Sequence, residues 1–255
     1  MITIDQIRRI VPGEEAARLA TAQYDRLLAE LEVLEPGDWD TVTSCSPWTV
    51  ADVVRHMLGA AEGHASIRES LRQVLHGLRH KADHGGNGLD AMNALQVADH
   101  ASLAPVHLVE ALRAVAPKAV RKRMRLPRPA RRITMAMDPG GSTAAGMPPS
   151  LTLGHLFTVV LTRDVFIHRL DIARATGRTV RLDGEGEGRL VADVVAEWAE
   201  RHGEPFLLRL TGSAGGGYAS GEGGPEIELD AAEFCWILSG RAPAPHPLLE
   251  TRVLF

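Results

Sequence analysis

The chain has 255 residues, of which 45% are hydrophobic and 24% charged, a composition typical of soluble globular proteins. Its formal net charge of −4 disfavours nonspecific attraction to nucleic acid or to anionic membranes, and no apolar run is long enough to span a bilayer. The first residues lack a basic segment followed by an apolar one, so we expect no signal peptide and a cytoplasmic protein with reduced Cys45 and Cys235.

The first part of the chain has the hydrophobic periodicity of a helical bundle. Thr49 and Asp52 form a capping-box pattern at the start of one helix, and Gly177 is a suitable left-handed stop for another. The predicted helices cover residues 14–34, 49–78, 89–124 and 151–175, and we expect Pro105 and Pro117 to disturb the third of them. Residues 125–150 are rich in Arg, Pro and Gly, and we expect a loop or an extended segment there.

After Gly177 the predicted elements change from long helices to a mixture of short strands and helices. A helix is predicted over residues 188–201, and Asp230 is expected to cap a helix that ends at Leu238. Strand-like runs occur at residues 206–210, 217–220, 226–229 and 252–255, and the glycine-rich stretches between the first three suit hairpins. The predicted fold class is therefore α+β, with a helical bundle over residues 1–177 and a small α+β domain over residues 178–255.

Two histidines lie in apolar, helix-patterned runs, where an ionisable group normally needs a partner. His56 is the last residue of the run that begins at Trp48, and Asp164 and His168 are spaced i,i+4 on one face of the last bundle helix. Two ligands from one helix and a third from another would hold a divalent cation inside the bundle. The alternative is structural: a core histidine at position 56, and a hydrogen-bonded Asp164–His168 pair or one satisfied by an arginine such as Arg163 or Arg55. Asp52 is better explained as the helix cap than as a ligand.

Other histidines are weaker candidates. His76, His80 and His84 repeat at i+4, but they flank a glycine-bounded loop, which favours a solvated helix end. His100 and His107 are seven residues apart on the third predicted helix, a spacing that would let both face the same interior and one of them line a pocket.

One basic and two glycine-rich stretches are further candidates for binding sites. Residues 118–132 carry eight basic side chains and no aromatic one, which favours a solvated helix terminus or a rim for anionic ligands over a nucleic-acid surface. Residues 138–142 and 212–224 lack the ending of a phosphate loop, so we interpret both as turns.

Three runs resemble one protein family. Residues 43–56 closely resemble the N-terminal signature of the mycothiol-dependent maleylpyruvate isomerase family, and residues 163–173 resemble its fourth-helix motif. Residues 229–241 look like part of its small C-terminal domain, so the resemblance covers nearly the whole chain and is weakest between about 76 and 150. It implies a DinB-like four-helix bundle followed by a small SCP2-like α+β domain.

The resemblance also implies a metal site. In the family a divalent ion, usually zinc, is held by a histidine of the second helix and a Glu-x-x-x-His pair of the fourth, which correspond here to His56, Asp164 and His168. Asp164 is one methylene shorter than the family's glutamate, so the helix would sit closer to the ion or the carboxylate would act through water. Arg241 resembles a catalytic position that binds the anionic substrate or thiol cofactor. Asp171 would orient His168 or pair with an arginine.

The function implied is that of a mycothiol-dependent metalloenzyme that activates a thiol for isomerisation or S-transfer. Its partners would be a small-molecule thiol and an electrophilic substrate, with no nucleic acid or membrane, and the protein would be a monomer or homodimer. A non-catalytic metal- or ligand-binding regulatory protein on the same bundle is the alternative. The Asp-for-Glu exchange favours this alternative slightly, whereas the presence of His56 and His168 favours the enzyme. A purely structural interaction module would bind no metal.

Overall fold

The computed structural model describes residues 1–136 and 148–255 and confirms the predicted α+β class, with helices predominating. The helices are α1 (Glu14–Leu31), α2 (Val50–Ala65), α3 (Ile67–His80), α4 (Gly88–Asp99), α5 (Pro105–Met124), α6 (Arg128–Arg131), α7 (Leu153–His155), α8 (Leu161–Ala175), α9 (Gly186–His202) and α10 (Ala231–Leu238). The strands are β1 (Ile2–Thr3), β2 (Thr134–Ala136), β3 (Ser150–Thr152), β4 (Phe206–Thr211), β5 (Gly216–Ser220) and β6 (Glu226–Asp230). A π-helical segment, Leu156–Val160, leads into α8.

Four long helices, α1, α2, α5 and α8, form the bundle. Their apolar faces share one core, to which Leu27, Val53, Leu112 and Val165 each contribute a fully buried side chain. Helices α3 and α4 pack against each other and against α2. Because this core lies between α2 and α8, polar side chains on their inner faces are removed from water and must find partners there.

The breaks between helices differ from the sequence-based prediction. The helix predicted over residues 49–78 is two helices, because Ser66 has an extended backbone and its hydroxyl caps α3 by accepting from the Glu69 amide. The helix predicted over residues 89–124 ends at Asp99 and restarts at Pro105, which occupies the first turn of α5, where no amide donor is needed. The predicted fourth helix begins later than residue 151, because Ser150–Thr152 pair with β2.

The C-terminal region contains a mixed sheet in the order β1-β5-β4-β6. Strands β4 and β5 are antiparallel, as a hairpin requires, whereas β6 pairs in parallel with the other edge of β4. The predicted hairpin between β5 and β6 is therefore wrong, and residues 252–255 are irregular rather than a strand. Asp230 caps α10 as predicted, with its Oδ1 accepting from the Ala232 and Glu233 amides.

The N-terminal segment joins the C-terminal sheet, where Ile2–Thr3 pair in parallel with β5. Ala16 and Phe166 belong to the same buried cluster as Trp198 and Phe234, so α1 and α8 contact both halves of the chain. The division into domains at residue 177 stays a prediction.

The glycine-rich stretch over residues 212–224 contains turns, as predicted, and Gly212, Gly221 and Gly223 have positive φ there. The turn predicted at residues 138–142 lies outside the described residues. None of the helices in the described ranges is both long and apolar enough to cross a membrane.

Candidate metal centre

The N-terminus of α2 determines where His56 lies. The Thr49 hydroxyl accepts from the Asp52 amide and the Asp52 carboxylate accepts from the Thr49 amide, so Asp52 is a cap, as predicted. This start places His56 on the inner face of α2, 8% exposed, with the Trp48 ring 5.1 Å away. The His168 ring of α8, 5% exposed, lies 5.4 Å from the His56 ring.

Asp164 completes a cluster with these two histidines. One of its carboxylate oxygens lies 3.5 Å from Nε2 of His168, as expected for an i,i+4 pair. One ligand atom from each of His56, Asp164 and His168 lies within 4.8 Å of the other two. Zinc bonds nitrogen and carboxylate oxygen at about 2.0–2.2 Å, so three donors at such separations are close enough to share one ion.

A chain of amides orients His56. Its Nδ1 lies 2.8 Å from Oε1 of Gln96, and the Gln96 amide in turn donates to Oε1 of Gln73 at 2.8 Å. Gln96 lies close to α2 because residue 59 is glycine: a Cβ at Gly59 would be 2.6 Å from Cβ of Gln96. Since Gln96 offers an acceptor, His56 donates from Nδ1 and keeps the lone pair of Nε2 for a metal ion.

Asp171 orients His168 in the same way. Its Oδ2 lies 2.9 Å from Nδ1 of His168, which leaves Nε2 on the side of Asp164. Asp171 also accepts from Nε of Arg241 at 2.7 Å, from Nη2 of Arg241 at 2.8 Å and from the Ser44 hydroxyl. Both alternatives predicted for Asp171 are thus present together: it bonds the histidine and pairs with an arginine.

The two histidines differ in their affinity for protons. Burial lowers the pKa of His56 to about 4, so its imidazole is neutral at neutral pH. Burial also acts to lower the pKa of His168, but the charge of Asp164 and the hydrogen bond to Asp171 outweigh it and raise this pKa to about 10. A metal ion at the site would therefore have to displace a proton from His168.

A second possible ligand set, Cys45, His168 and Asp171, lies on the other side of the His168 ring. The Cys45 sulfur is 3.4 Å from Oδ2 of Asp171 and 3.6 Å from Nη2 of Arg241. Because Arg241 already neutralises Asp171 and would repel a cation, we favour the set formed by His56, Asp164 and His168.

The arginines proposed as structural partners of Asp164 and His168 bind elsewhere. Arg163 pairs with Asp193 and Glu197 of α9, and Arg55 pairs with Asp52. The interpretation of Asp164 and His168 as a pair satisfied by either arginine is therefore wrong.

The remaining histidine candidates lie away from this cluster. His76 and His80 stack on each other at 4.2 Å near the protein surface. His100 is buried and bonds Glu62 and the Gln96 carbonyl, whereas His107 is exposed beside Glu110, so the two do not face a shared interior.

Sequence reasoning missed Ser44, Cys45 and Gln96 as residues around the centre. Ser44 and Cys45 fall within the signature run that ends at His56, so that run already marked their loop. Gln96 has no comparable signal apart from the glycine at position 59 within a helix, which indicates a close approach by another element.

Comparison with known proteins agrees with this architecture. The sequence profile of the mycothiol maleylpyruvate isomerase N-terminal domain matches residues 20–173. Crystal structures of the mycothiol-dependent maleylpyruvate isomerase and of its histidine-to-alanine mutant resemble the chain with TM-scores of 0.55 and 0.54 and 18% identity, over 95% of this chain and 93% of theirs. At that identity the likeness shows the fold alone, and no curated protein sequence matches the chain significantly. Because the profile spans more than half of the sequence, the chain belongs to the mycothiol maleylpyruvate isomerase family.

Proposed function

We propose that the protein is a mycothiol-dependent, maleylpyruvate isomerase-like metalloenzyme of the cytoplasm, with a metal-binding bundle over residues 1–177 and a small α+β domain over residues 178–255. His56, Asp164 and His168 would hold the ion. One observation carries the proposal: the three ligand atoms lie within 4.8 Å of one another, and both imidazoles are held through Nδ1.

The donor set suits zinc. Two imidazole nitrogens and one carboxylate oxygen are typical zinc ligands, and three protein ligands leave one position open, as in catalytic rather than structural sites. When bound, such an ion favours the thiolate form of a thiol near neutral pH, the nucleophile that isomerisation and S-transfer both require. Asp164 reduces the net charge of the centre, while Gln96 and Asp171 keep Nε2 of each histidine directed at the site.

Arg241 is proposed as the residue that binds the anionic substrate or thiol cofactor. Its side chain is 16% exposed, and Asp171 holds it through Nε and Nη2. Nη1 makes no hydrogen bond among the described residues and is not buried, so it is available to a ligand. Arg241 belongs to the loop after α10, so the C-terminal region would complete a site whose metal ligands come from the bundle.

A thiol-dependence assay tests the proposed function. The zinc-loaded protein is incubated with maleylpyruvate and mycothiol, and separately with mycothiol and a chloronitrobenzene electrophile that reports S-transfer. We expect turnover of at least one substrate only when both zinc and mycothiol are present.

Two variants test whether turnover in this assay depends on the proposed metal ligands. His56→Ala should abolish turnover, whereas His76→Ala, which changes a histidine near the surface, should leave it unchanged. A zinc-loaded protein that turns over neither substrate would contradict the proposal and favour a non-catalytic binding protein on the same bundle.

A further inference from the structure

Arg123 of α5 is a buried cation without an acidic partner. Its side chain is 3% exposed, and its one hydrogen bond in the described part of the chain runs from Nη2 to the Thr162 hydroxyl at 3.2 Å. Nε and Nη1 are buried with no partner among residues 1–136 and 148–255. A guanidinium has five donors and a full charge, so leaving it unpaired in a protein interior is unfavourable.

The other deeply buried arginines of this protein are paired. Arg163 is 2.6 Å from Asp193 and 2.9 Å from Glu197, and Arg169 bonds Glu30 and Glu187. Arg123 differs from both, which indicates that its counter-ion is not part of the described chain.

The position of Arg123 connects it with the metal centre. Thr162, its partner, lies two residues before Asp164 on α8. Burial lowers the pKa of Arg123, while Tyr24 and the charge of Asp164 act to raise it, so Arg123 and Asp164 interact through the bundle interior without forming an ion pair.

His64 is half-buried, and its buried Nδ1 is a second polar atom without a partner there. Its Nδ1 has no hydrogen bond among the residues that the structure describes, and its ring lies 5.7 Å from Phe157. His64 follows His56 by eight residues on α2, about 12 Å along the helix axis. Burial and the neighbouring Arg123 lower the pKa of His64 to about 3, so it is a neutral imidazole that can donate to an anion.

We propose that Arg123 and His64 form an anion subsite beside the metal centre, and that this subsite takes a carboxylate of the substrate. A carboxylate accepts from several donors at once and would satisfy Nε and Nη1 of Arg123 together with Nδ1 of His64. A singly charged group fits better than a phosphate dianion, because the subsite has one cation and Asp164 lies nearby. The inference rests on the proposed function for the identity of the ligand as substrate, and it makes Arg123 a specificity-determining residue.

The first test separates a binding role from a structural one. Thermal unfolding is measured for zinc-loaded wild-type protein, Arg123→Met and the matched control Arg163→Met. We expect Arg123→Met to unfold at the same temperature as wild type or higher, because it removes an unpaired buried charge. Arg163→Met should unfold at a clearly lower temperature, because Asp193 and Glu197 lose their fully buried partner, although Arg9 still contacts both. If Arg123→Met fails to fold or is as unstable as Arg163→Met, Arg123 is structural and the proposal is overturned.

The second test measures the ligand directly. Maleate is titrated calorimetrically into zinc-loaded protein and, separately, into protein freed of metal, with maleamide as the neutral probe and chloride as the inorganic one. In both states we expect maleate to bind wild type at least tenfold more tightly than Arg123→Met, with Arg123→Lys intermediate and maleamide not binding. Equal maleate affinity for wild type and Arg123→Met, or chloride binding as tightly as maleate, would overturn the proposal.

The metal-free titration keeps the two hypotheses distinguishable. If the protein binds no zinc, the proposed function fails, while the dependence of maleate affinity on Arg123 is still measured. If zinc binds and thiol-dependent turnover occurs but Arg123 has no effect on maleate affinity, the anion subsite alone is wrong.

Discussion

At the scale of single residues, the geometry of the candidate metal centre depends on the hydrogen-bond partners that orient its two histidines. His56 and His168 each have Nδ1 occupied, by Gln96 and by Asp171, and each keeps Nε2 for the site. The two supports differ, because a neutral amide holds one imidazole and a carboxylate holds the other. Burial keeps His56 neutral because it lowers the pKa of this imidazole more than Gln96 raises it, whereas the carboxylates around His168 stabilise its protonated form.

The support of His56 by Gln96 gives a residue-level prediction. Gln96→Leu removes the acceptor for Nδ1, so the imidazole can rotate or adopt the other tautomer, and we expect zinc affinity to fall about 10- to 100-fold. A competition titration with a chelating dye measures this affinity. Gln23→Leu is the matched control, because Gln23 is equally buried but bonds Arg169 and Glu187, and its zinc affinity should equal that of wild type. Unchanged affinity in Gln96→Leu would show that Gln96 does not orient His56.

Sequence reasoning brought His56, Asp164 and His168 together because all three follow from helix periodicity and from the family's motifs. It did not find Gln96 or Arg123. Both act through contacts between helices that are far apart in sequence, such as the 2.8 Å contact of Gln96 with His56 over 40 residues, and no periodicity reports such contacts. Arg123 was included in a basic run interpreted as a solvated helix terminus or a rim for anionic ligands. The basic residues next to it in that run are exposed, whereas Arg123 is buried.

At the scale of elements, helix α8 links the two halves of the chain. Its inner face carries His168 and Asp164, while Arg163 points to α9 and pairs with Asp193 and Glu197. Arg9, from the N-terminal segment, pairs with the same two acids. This buried network fixes the rotation of α8 and therefore where His168 lies relative to α2.

Glu197 of this network gives a prediction about stability and pH. Burial acts to raise the pKa of Glu197, but His155, Arg163 and Arg9 outweigh it and lower this pKa to about 2. The depressed pKa stabilises the fold fully above about 4.5, the ordinary glutamate value, and this contribution is lost as the pH falls towards 2. Glu197→Gln should therefore lower the free energy of unfolding at pH 7 by about 3 kcal/mol, with a difference from wild type that shrinks below pH 4.5.

Urea unfolding over a pH series measures this difference. Glu200→Gln is the control on the same helix: its side chain is 72% exposed, and the change should cost less than about 0.5 kcal/mol at every pH. A Glu197→Gln protein as stable as wild type at pH 7 would contradict the assignment of this network as a structural link.

Element boundaries were predicted well where one residue defines them and poorly where the chain turns between helices. Thr49, Gly177 and Asp230 have the roles that the sequence predicts for them. The break at Ser66 was missed because apolar periodicity continues across it, whereas the disturbance expected at Pro105 is a complete break between two helices. Strand β1 has two residues, too few for any periodic pattern.

At the scale of the whole molecule, the site draws on both parts of the chain. The proposed metal ligands come from α2 and α8 of the bundle, and Arg241 contacts Asp171 from the loop after α10. The general architecture followed from the sequence, because a bundle with one inward-facing polar cluster and a small α+β region each have a clear pattern. The packing of α1 and α8 against the C-terminal core was not predictable, because it depends on which faces of long helices remain uncovered.

The most direct test of the central claim is the metal content of the purified protein. Inductively coupled plasma mass spectrometry is applied to wild type, to His168→Ala and to His107→Ala, whose histidine is exposed beside Glu110. We predict about one zinc ion per chain in wild type and in His107→Ala, and none in His168→Ala, because its loss leaves two ligands where a zinc site needs at least three. A wild-type protein that holds no metal, even after zinc is supplied, would contradict the account, and His56, Asp164 and His168 would then be a buried polar cluster of the bundle.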